Sequence, residues 1–392
     1  MAAELSVAVS LFANDRGRSG IGRYLQNVVG RLPAADPELR LLLYVAREDL
    51  PVFSGLFAAD DPRARFVAVD DRWNAPPASL LWHAVRFPAL ARQAGARVLY
   101  LPAGNRRLAP FSPLPTVAVV HDLSWLHMRG KYDFARQLYL RGLLPWMIRR
   151  ATRVVAISGS TEQDLVALAA CDPRRLVRIG NGYDAQVFQP REAAASRAAL
   201  AAAGGRSLPA RFLLYVSRLE HPGKNHVGLL RAYRRLLDRH PDLAEDLVLA
   251  GGRWNGAEAV EREIVALGLG ERVHLLGYVA DEQLPLLYAT ARALVFPSLF
   301  EGFGLPILEA QACGLPVAGS AVSSIPEVIG EAGLLFDPHD PVAIADAVER
   351  LLFDDELRGD LARRGLENAH RHTWEVTAAA TARLLREVAG GA

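Results

Sequence analysis

Pro297-Ser298-Leu299-Phe300-Glu301-Gly302-Phe303-Gly304-Leu305-Pro306-Ile307-Leu308-Glu309-Ala310 follows an apolar run at Ala293–Phe296 and opens a helical stretch. It reads as strand, glycine-bearing loop, helix. Pro306 suits a first helical position, where its missing N–H is not needed. Gly302 and Gly304 let a backbone approach a ligand closely. The unpaired N–H groups of such a helix start form an anion site. Glu301 stands in the loop, and Glu309 is expected in the first turn of the helix. Two carboxylates beside an anion site make sense for a ligand with a diphosphate for the amides and hydroxyls for the carboxylates, as in a sugar nucleotide.

Outward from this stretch the same unit repeats. Short apolar runs occur at Ser6–Leu11, Leu41–Val45, Val98–Leu101, Thr116–Val120 and Val154–Ile157, with amphipathic stretches between them. After Asn181-Gly182 the pattern restarts, with runs at Phe212–Val216, Leu247–Ala250, Val273–Leu276, Ala293–Phe296 and Pro316–Ala318. Fully apolar strands separated by helices predict parallel sheets covered on both faces. The fold class is therefore α/β, with two doubly wound Rossmann-like domains. The expected division is residues 1–188, residues 189–372, and a final helix over 373–392. An Ala-rich helix over Glu192–Ala203 opens the second half. Ligands of open α/β sheets bind beyond the carboxyl ends of the strands, so the cleft between two facing domains is the expected site.

Composition excludes several classes. The chain has 392 residues, 51% of them hydrophobic and 22% charged, which is ordinary globular material for about two domains. Cys171 and Cys313 are too few for a disulfide framework or a Cys-rich metal site. The N-terminus lacks a basic region and reads as a first buried strand rather than a signal peptide. No apolar run approaches about 18 residues, so no membrane span is expected. Net charge is only +2, but it is unevenly spread. Residues 82–107 carry five arginines and no acid, and residues 125–153 carry seven basic residues against Asp133 alone. Trp125, Tyr132, Phe134, Tyr139 and Trp146 interleave with the second stretch. Basic residues among aromatics fit an anionic membrane surface or an anionic acceptor; they equally fit a solvated face over core aromatics. No nucleic-acid motif accompanies the charge, so nucleic acid is not an expected partner.

Four constellations can carry chemistry. The loop Asp15-Arg16-Gly17-Arg18-Ser19-Gly20-Ile21-Gly22-Arg23-Tyr24 follows the first run but does not match G-x-G-x-x-G. It is either a tight turn or a loop whose amides approach a phosphate or acceptor hydroxyl. His121 and Asp122 directly follow Thr116–Val120 and point to a cleft; a histidine satisfied inside the fold is the plainer reading. Arg218 and Lys224 flank a turn containing Pro222-Gly223, where both cations can converge on one diphosphate. Only two of the 45 basic residues are lysines, Lys131 and Lys224. The pair Glu301 and Glu309 fits separate hydroxyl-binding roles better than a glycosidase pair. Asp70-Asp71 is the best candidate for a Mg²⁺ or Mn²⁺ site, but Arg218 and Lys224 already supply the charge and loop acids are the preferred reading. No metal or other cofactor is expected.

Together these residues resemble the GT-B glycosyltransferases of family 4, the retaining enzymes related to bacterial polysaccharide mannosyltransferases. The resemblance covers the second half nearly end to end. It rests on Arg218 and Lys224, Leu276-Gly277-Tyr278-Val279, Pro297-Ser298, Glu301 and Glu309, Ala312-Cys313-Gly314-Leu315-Pro316-Val317, Ile325-Pro326-Glu327-Val328 and Gly333-Leu334-Leu335-Phe336. The first half is similar through Gly20-Ile21-Gly22-Arg23-Tyr24, His121-Asp122-Leu123-Ser124, Ile157-Ser158 and Asn181-Gly182. Trp374 with its amphipathic helix is similar to the family segment that crosses back to the N-terminal domain. The glycine common in the family near Ser10–Asn14 is absent, so the acceptor side stays unassigned.

The resemblance implies roles. Arg218 and Lys224 would hold the donor diphosphate and stabilise the leaving nucleotide. Glu301 would bind donor-sugar hydroxyls with amides of Gly302, Phe303, Gly304 and Leu305, and Glu309 the ribose. Tyr278 and Val279 would border the base, and His121 would contact the donor sugar near the reacting carbon. Gly20 and Gly22, with Asp122 and Asn181, complete the expected donor site. The implied activity is a retaining hexosyl transfer, first from GDP-mannose, with UDP-sugars and dTDP-rhamnose as alternatives. A polyprenyl-diphosphate-linked glycan is the implied acceptor, met at the cytoplasmic face of the cell membrane. A nucleotide-sugar epimerase or phosphorylase of the same fold and a non-catalytic nucleotide-sugar-binding subunit are the competing classes.

Overall fold

The computed structural model describes residues 3–12, 20–105, 107–127, 139–203 and 208–391. The chain divides into two compact units, Met1–Gly182 with Trp374–Ala392, and Tyr183–Thr373. The boundary thus falls before Phe188, and the last helix belongs to the first unit.

In the first unit, β1 (Leu5–Ser10), β2 (Leu39–Ala46), β3 (Ala64–Val69), β4 (Val98–Leu101), β5 (Thr116–Val120), β6 (Arg153–Ala156) and β7 (Leu176–Arg178) form one sheet. Their order is β3-β2-β1-β4-β5-β6-β7. Every pairing is parallel, with Val7 in register with both Leu41 and Val98. Val98–Leu101 and Thr116–Val120 are buried throughout, which is why they are unbroken apolar runs. One face packs Phe12, Trp82 and Phe87, with Trp82 and Phe87 stacked at 5.1 Å. His83 sits among them fully buried. Burial first, and then the charge of Arg107, push its pKa down to about 3. Its Nδ1–H donates to the Ser79 carbonyl at 2.6 Å, so Nε2 accepts from the Ser10 hydroxyl at 2.8 Å.

The helix Trp374–Gly390 buries its apolar face in this unit through Trp374, Leu384, Leu385 and Val388. Thr377 donates to the Gly180 carbonyl at 2.8 Å, Arg386 grips the Asp36 carboxylate and donates to the Ala3 carbonyl at 2.7 Å, and Arg31 pairs with Glu375 at 2.7 Å.

The second unit repeats the plan with β8 (Phe212–Val216), β9 (Asp246–Ala250), β10 (Val273–Gly277), β11 (Ala293–Phe296), β12 (Val317–Ser320) and β13 (Gly333–Phe336). Their order is β10-β9-β8-β11-β12-β13, again all parallel. The sheet reverses direction between β8 and β11, so the loops leaving these two strands lie at the switch point where such folds bind ligands. The Ala-rich helix spans Ala193–Ala202, and the Glu192 carboxylate caps it through the amides of Ala194 and Ala195. Among the described residues, no helix is long and apolar enough to cross a membrane.

Candidate functional site

Three loops of the second unit build the site. The first leaves β8 at Ser217 and ends at Asn225, just before the helix His226–Arg239. Three side chains shape it. Tyr215 donates from its hydroxyl to the Lys224 carbonyl at 2.8 Å. Asn225, in the left-handed region at φ 53°, donates from its side chain to the Pro297 and Pro338 carbonyls at 3.1 and 2.7 Å. His226 donates from Nδ1 to the Glu220 carbonyl at 3.3 Å, which leaves Nε2 to accept from Ser217 at 3.3 Å. Burial is the main cause that lowers the His226 pKa to about 4, so the ring is neutral there.

The second loop leaves β9 as Gly251-Gly252-Arg253-Trp254 and runs against the first. The Leu219 amide donates to the Gly252 carbonyl at 2.9 Å and the Trp254 amide to the Leu219 carbonyl at 3.0 Å. Gly251 has φ 153°, and a Cβ there would lie 1.8 Å from the Ser217 carbonyl oxygen, so only glycine allows this approach. Trp254 is half exposed and carries the Arg218 guanidinium over its ring at 4.7 Å. Arg218 also donates to Glu220 at 3.2 Å. Ring and carboxylate hold the fork from two directions, and its other N–H groups meet no protein acceptor among the described residues.

The third loop is the stretch Pro297–Gly304. The Leu299 amide donates to the Gly223 carbonyl at 2.9 Å, which joins the third loop to the first. Lys224 Nζ then donates to Glu301 Oε1 at 2.6 Å, with both side chains largely buried. Ser323, itself at φ 57°, accepts the Glu301 amide at 3.0 Å and donates back to the Glu301 carbonyl. Ser324 donates to the Glu301 and Phe303 carbonyls at 3.0 and 2.8 Å. With these carbonyls engaged, the amides of Gly302, Phe303 and Gly304 are left without an acceptor among the described residues. Gly304, at φ 110°, caps the helix Leu305–Ala312. The result is a run of N–H donors at a helix start beside a Lys–Glu pair, suited to a phosphate oxygen or a sugar hydroxyl.

Glu309 and Pro306 both sit one step further into the helix than expected from sequence. Glu309 is the fifth residue of its helix, so it lies in the second turn, not the first. It is buried and accepts from the Tyr288 hydroxyl at 2.9 Å. A carboxylate there is no longer explained by the helix dipole, whose effect fades beyond the first turn. Pro306 is second in the helix, where its missing N–H is equally harmless. Tyr278 is exposed and Val279 half-buried just after β10. The Cβ of Tyr278 lies 4.0 Å from the position a Gly252 Cβ would take, so the ring starts beside the Trp254 loop.

The remaining candidates lie in the first unit. Gly20 and Gly22 lie in the helical turn Gly20–Tyr24, and residues 13–19 lie outside the described residues. His121 is buried; Nε2 donates to the Pro102 carbonyl at 2.7 Å, its amide donates to Asn105 at 2.6 Å, and Tyr24 meets its ring edge-on at 4.9 Å. Burial is the first cause that lowers its pKa. A neutral ring with Nε2–H engaged presents Nδ1 as acceptor. Asp122 accepts from the Ser124 amide at 3.0 Å and hydroxyl at 2.8 Å, a turn-capping role. Asn181 is buried with no partner for its Oδ1 among the described residues, an acceptor that calls for a ligand or water. Asp70 and Asp71 serve turns: Asp70 accepts from the Arg72 amide at 3.0 Å and Asp71 from the Glu48 amide at 2.9 Å. Lys131, Tyr132 and Phe134 of the aromatic stretch fall in residues 128–138, which lie outside the described residues.

The sequence reading passed over Trp254, Ser323 and Ser324. Trp254 had a usable signal, an aromatic two residues after the Gly251-Gly252 that follows a strand. The two serines had none, because their partners are more than 20 positions away.

Comparison with known proteins agrees with this geometry. The model for "Glycosyl transferases group 1" matches residues 197–368, and that for "Glycosyltransferase Family 4" matches residues 18–187. The O-antigen chain mannosyltransferase B of Escherichia coli is 33% identical over 370 residues, 91% of this chain and 93% of that one. The serotype-specific mannosyltransferase WbdA of Escherichia coli is 32% identical over 68% of this chain and 32% of its own length. The fold matches the sucrose-phosphate synthase of Thermosynechococcus elongatus with a TM-score of 0.76 and 22% identity, over 99% of this chain and 100% of that one. Two doubly wound sheets, a cation and carboxylate pair at the switch point and matched models over both halves place the chain among the GT-B glycosyltransferases, as a member of family 4.

Proposed function

We propose that this glycosyltransferase moves a mannosyl group, with retention, from GDP-mannose to a polyprenyl-diphosphate-linked glycan in surface polysaccharide assembly at the cytoplasmic face of the membrane. The carrying observation is the Lys224–Glu301 pair at 2.6 Å beside the unspent amides of Gly302, Phe303 and Gly304. A diphosphate oxygen can take over Lys224 while a sugar hydroxyl donates to Glu301, so the pair opens onto a ligand of matching polarity. Arg218 supplies the second cation, Glu309 the ribose contact, and Tyr278 with Val279 the border of the base. Gly20, Gly22, Asp122 and Asn181 complete the donor contacts, and the Nδ1 of His121 is assigned to a donor-sugar hydroxyl. The names of the relatives favour mannose and O-antigen-type acceptors.

In the reaction the bond from the anomeric carbon to the phosphate oxygen breaks and a bond to the acceptor oxygen forms on the same face. The acceptor proton passes to the departing phosphate oxygen. No protein nucleophile is required, and the fixed charges of Arg218 and Lys224 carry the developing negative charge. No resident metal is needed in this scheme.

Thermal shifts with GDP, UDP and dTDP test the donor; a nucleotide at 100 times its Kd stabilises by about 2.7 kcal/mol. GDP is expected to give the largest shift. Lys224→Ala and Glu301→Ala should each lower kcat/KM by about 100-fold, or about 2.7 kcal/mol. Near-normal turnover in both sinks the site assignment, and an acceptor-free change of the nucleotide sugar would identify an epimerase instead.

A further inference from the structure

We propose that Tyr24 and Thr381 are positioning residues for His121, so that the last helix of the chain takes part in aligning the donor sugar. The inference rests on the reading of His121 as a donor-sugar contact and adds what holds it there. The backbone of His121 is pinned as it leaves β5: its amide donates to Asn105, whose side chain donates in turn to the Asp122 carbonyl. The ring has one hydrogen bond, from Nε2 to the Pro102 carbonyl at 2.7 Å. Such a bond fixes one ring atom and leaves the ring plane, and so the direction of Nδ1, to packing. Tyr24 meets the imidazole at right angles, with an interplanar angle of 85° and centroids 4.9 Å apart.

Tyr24 is itself fixed at its far end. Its hydroxyl lies 2.9 Å from that of Tyr100, and both hydroxyls bond Thr381 of the helix Trp374–Gly390. Thr381 donates its own proton to the Thr377 carbonyl at 2.8 Å, so toward the tyrosines it accepts, and all three hydroxyls find acceptors. Burial pushes the Tyr24 phenol up to about 12, so it remains a donor at neutral pH. Trp374 of the same helix also meets the Tyr24 ring, at 6.0 Å. Tyr100 is the third residue of β4 and Pro102 follows that strand. The carbonyl that holds Nε2 and the phenol that holds Tyr24 therefore belong to one strand end, and Thr381 closes the frame from the last helix. Tyr24, Tyr100 and Thr381 are all fully buried. Phenylalanine and valine would fill the same space with no polar atoms to satisfy, so filling the core does not account for three hydroxyls. A satisfied network of this kind specifies one arrangement, here the place of the ring edge against His121.

Release of GDP from GDP-mannose with the lipid-linked acceptor gives kcat and KM for the full chain. Histidine-labelled protein gives the ring resonances of His121, identified as those lost in His121→Ala. Thr381→Val keeps the shape and drops the hydroxyl; kcat should fall about fivefold with donor KM within about twofold of the parent. Thr381→Ser returns the hydroxyl and should restore kcat. Tyr24→Leu removes the ring edge and should lower kcat about 20-fold. Tyr24→Leu and Thr381→Val should both shift the His121 ring signals, and Thr381→Ser should leave them in place. In the His121→Ala background the same two variants should lower the melting temperature as before, yet change kcat by less than about twofold. Equal falls in kcat in both backgrounds, or unshifted His121 signals, overturn the positioning role and leave only packing. Should Tyr24→Leu fail to fold, the valine and serine variants of Thr381 decide the matter. A kcat lowered by His121→Ala but not by Tyr24→Leu or Thr381→Val sinks this inference alone. Parent-like kcat in His121→Ala sinks the reading of His121 and this inference with it.

Discussion

Removing Lys224 should damage stability and activity by separable routes. At 2.6 Å the ammonium and the Glu301 carboxylate attract by about 6 kcal/mol gross at an effective dielectric of about 20. Most of that offsets the desolvation of two groups that are only 19% and 14% exposed. Lys224→Met then leaves an unpaired carboxylate in a mostly buried place, on a backbone that Ser323 and Ser324 fix through the Glu301 amide and carbonyl. The expected loss is about 2 kcal/mol, below that of a fully buried pair because some solvent remains. Glu301→Gln alone should lose a similar amount by stranding the ammonium. The double variant should return to within about 1 kcal/mol of the parent, since both charges are gone. Its kcat/KM should stay down by about 100-fold or more, because the ligand has lost both partners. Urea unfolding and steady-state kinetics on the four proteins give the cycle. Additive stabilities, or turnover regained in the double variant, would refute the reasoning.

Three further outcomes follow from the same geometry. Gly251→Ala should cost about 3 kcal/mol or more, from the clash with Ser217 and the strained backbone, and calorimetry should show the melting temperature fall. Trp254→Leu should raise the donor KM about threefold by removing the ring under Arg218, with Trp254→Phe largely restoring it; identical KM in parent and Leu variant would contradict the stack. His83 and His226 both have pKa values lowered from 6.5, to about 3 and about 4. The unfolded chain therefore binds their protons first, and stability is full above about pH 6.5 and falls as pH drops towards the folded values. By pH 5 each should remove about 2 kcal/mol from its own unit; His226→Gln should flatten that fall, as read by urea unfolding across pH.

Much of this was open to inspection in the sequence. Val98–Leu101, Thr116–Val120, Phe212–Val216 and Ala293–Phe296 are strands at those limits because they are central and buried on both faces. The edge strand β7 is three residues long and ends on an exposed arginine, so no continuous apolar run of strand length announces it. The π-helical turns Leu25–Val29 and Trp82–Arg86 leave no mark in composition either. Within the site, Arg218, Lys224 and Glu301 were legible because they follow strands next to glycine. What fixes them was not. Ser323 clamps Glu301 from 22 positions away, and Gly251 clears the way for Ser217 across two strands. Such contacts come from tertiary approach, and local pattern carries no record of them.

The helix Trp374–Gly390 sets an order of events during synthesis. Along the chain the second unit lies between the two parts of the first, and Tyr183 pairs with Thr373 at the two ends of the inserted segment, the Tyr183 amide donating to the His372 carbonyl at 3.0 Å. A ribosome delivers β1 to β7 before the second unit, but the helix that covers Tyr24 and receives Asp36 only after it. The second unit is thus the first to have all its residues, although it begins later. The first unit must wait, with the seat of Trp374, Leu384 and Leu385 uncovered, until the second unit has been made and this helix follows it.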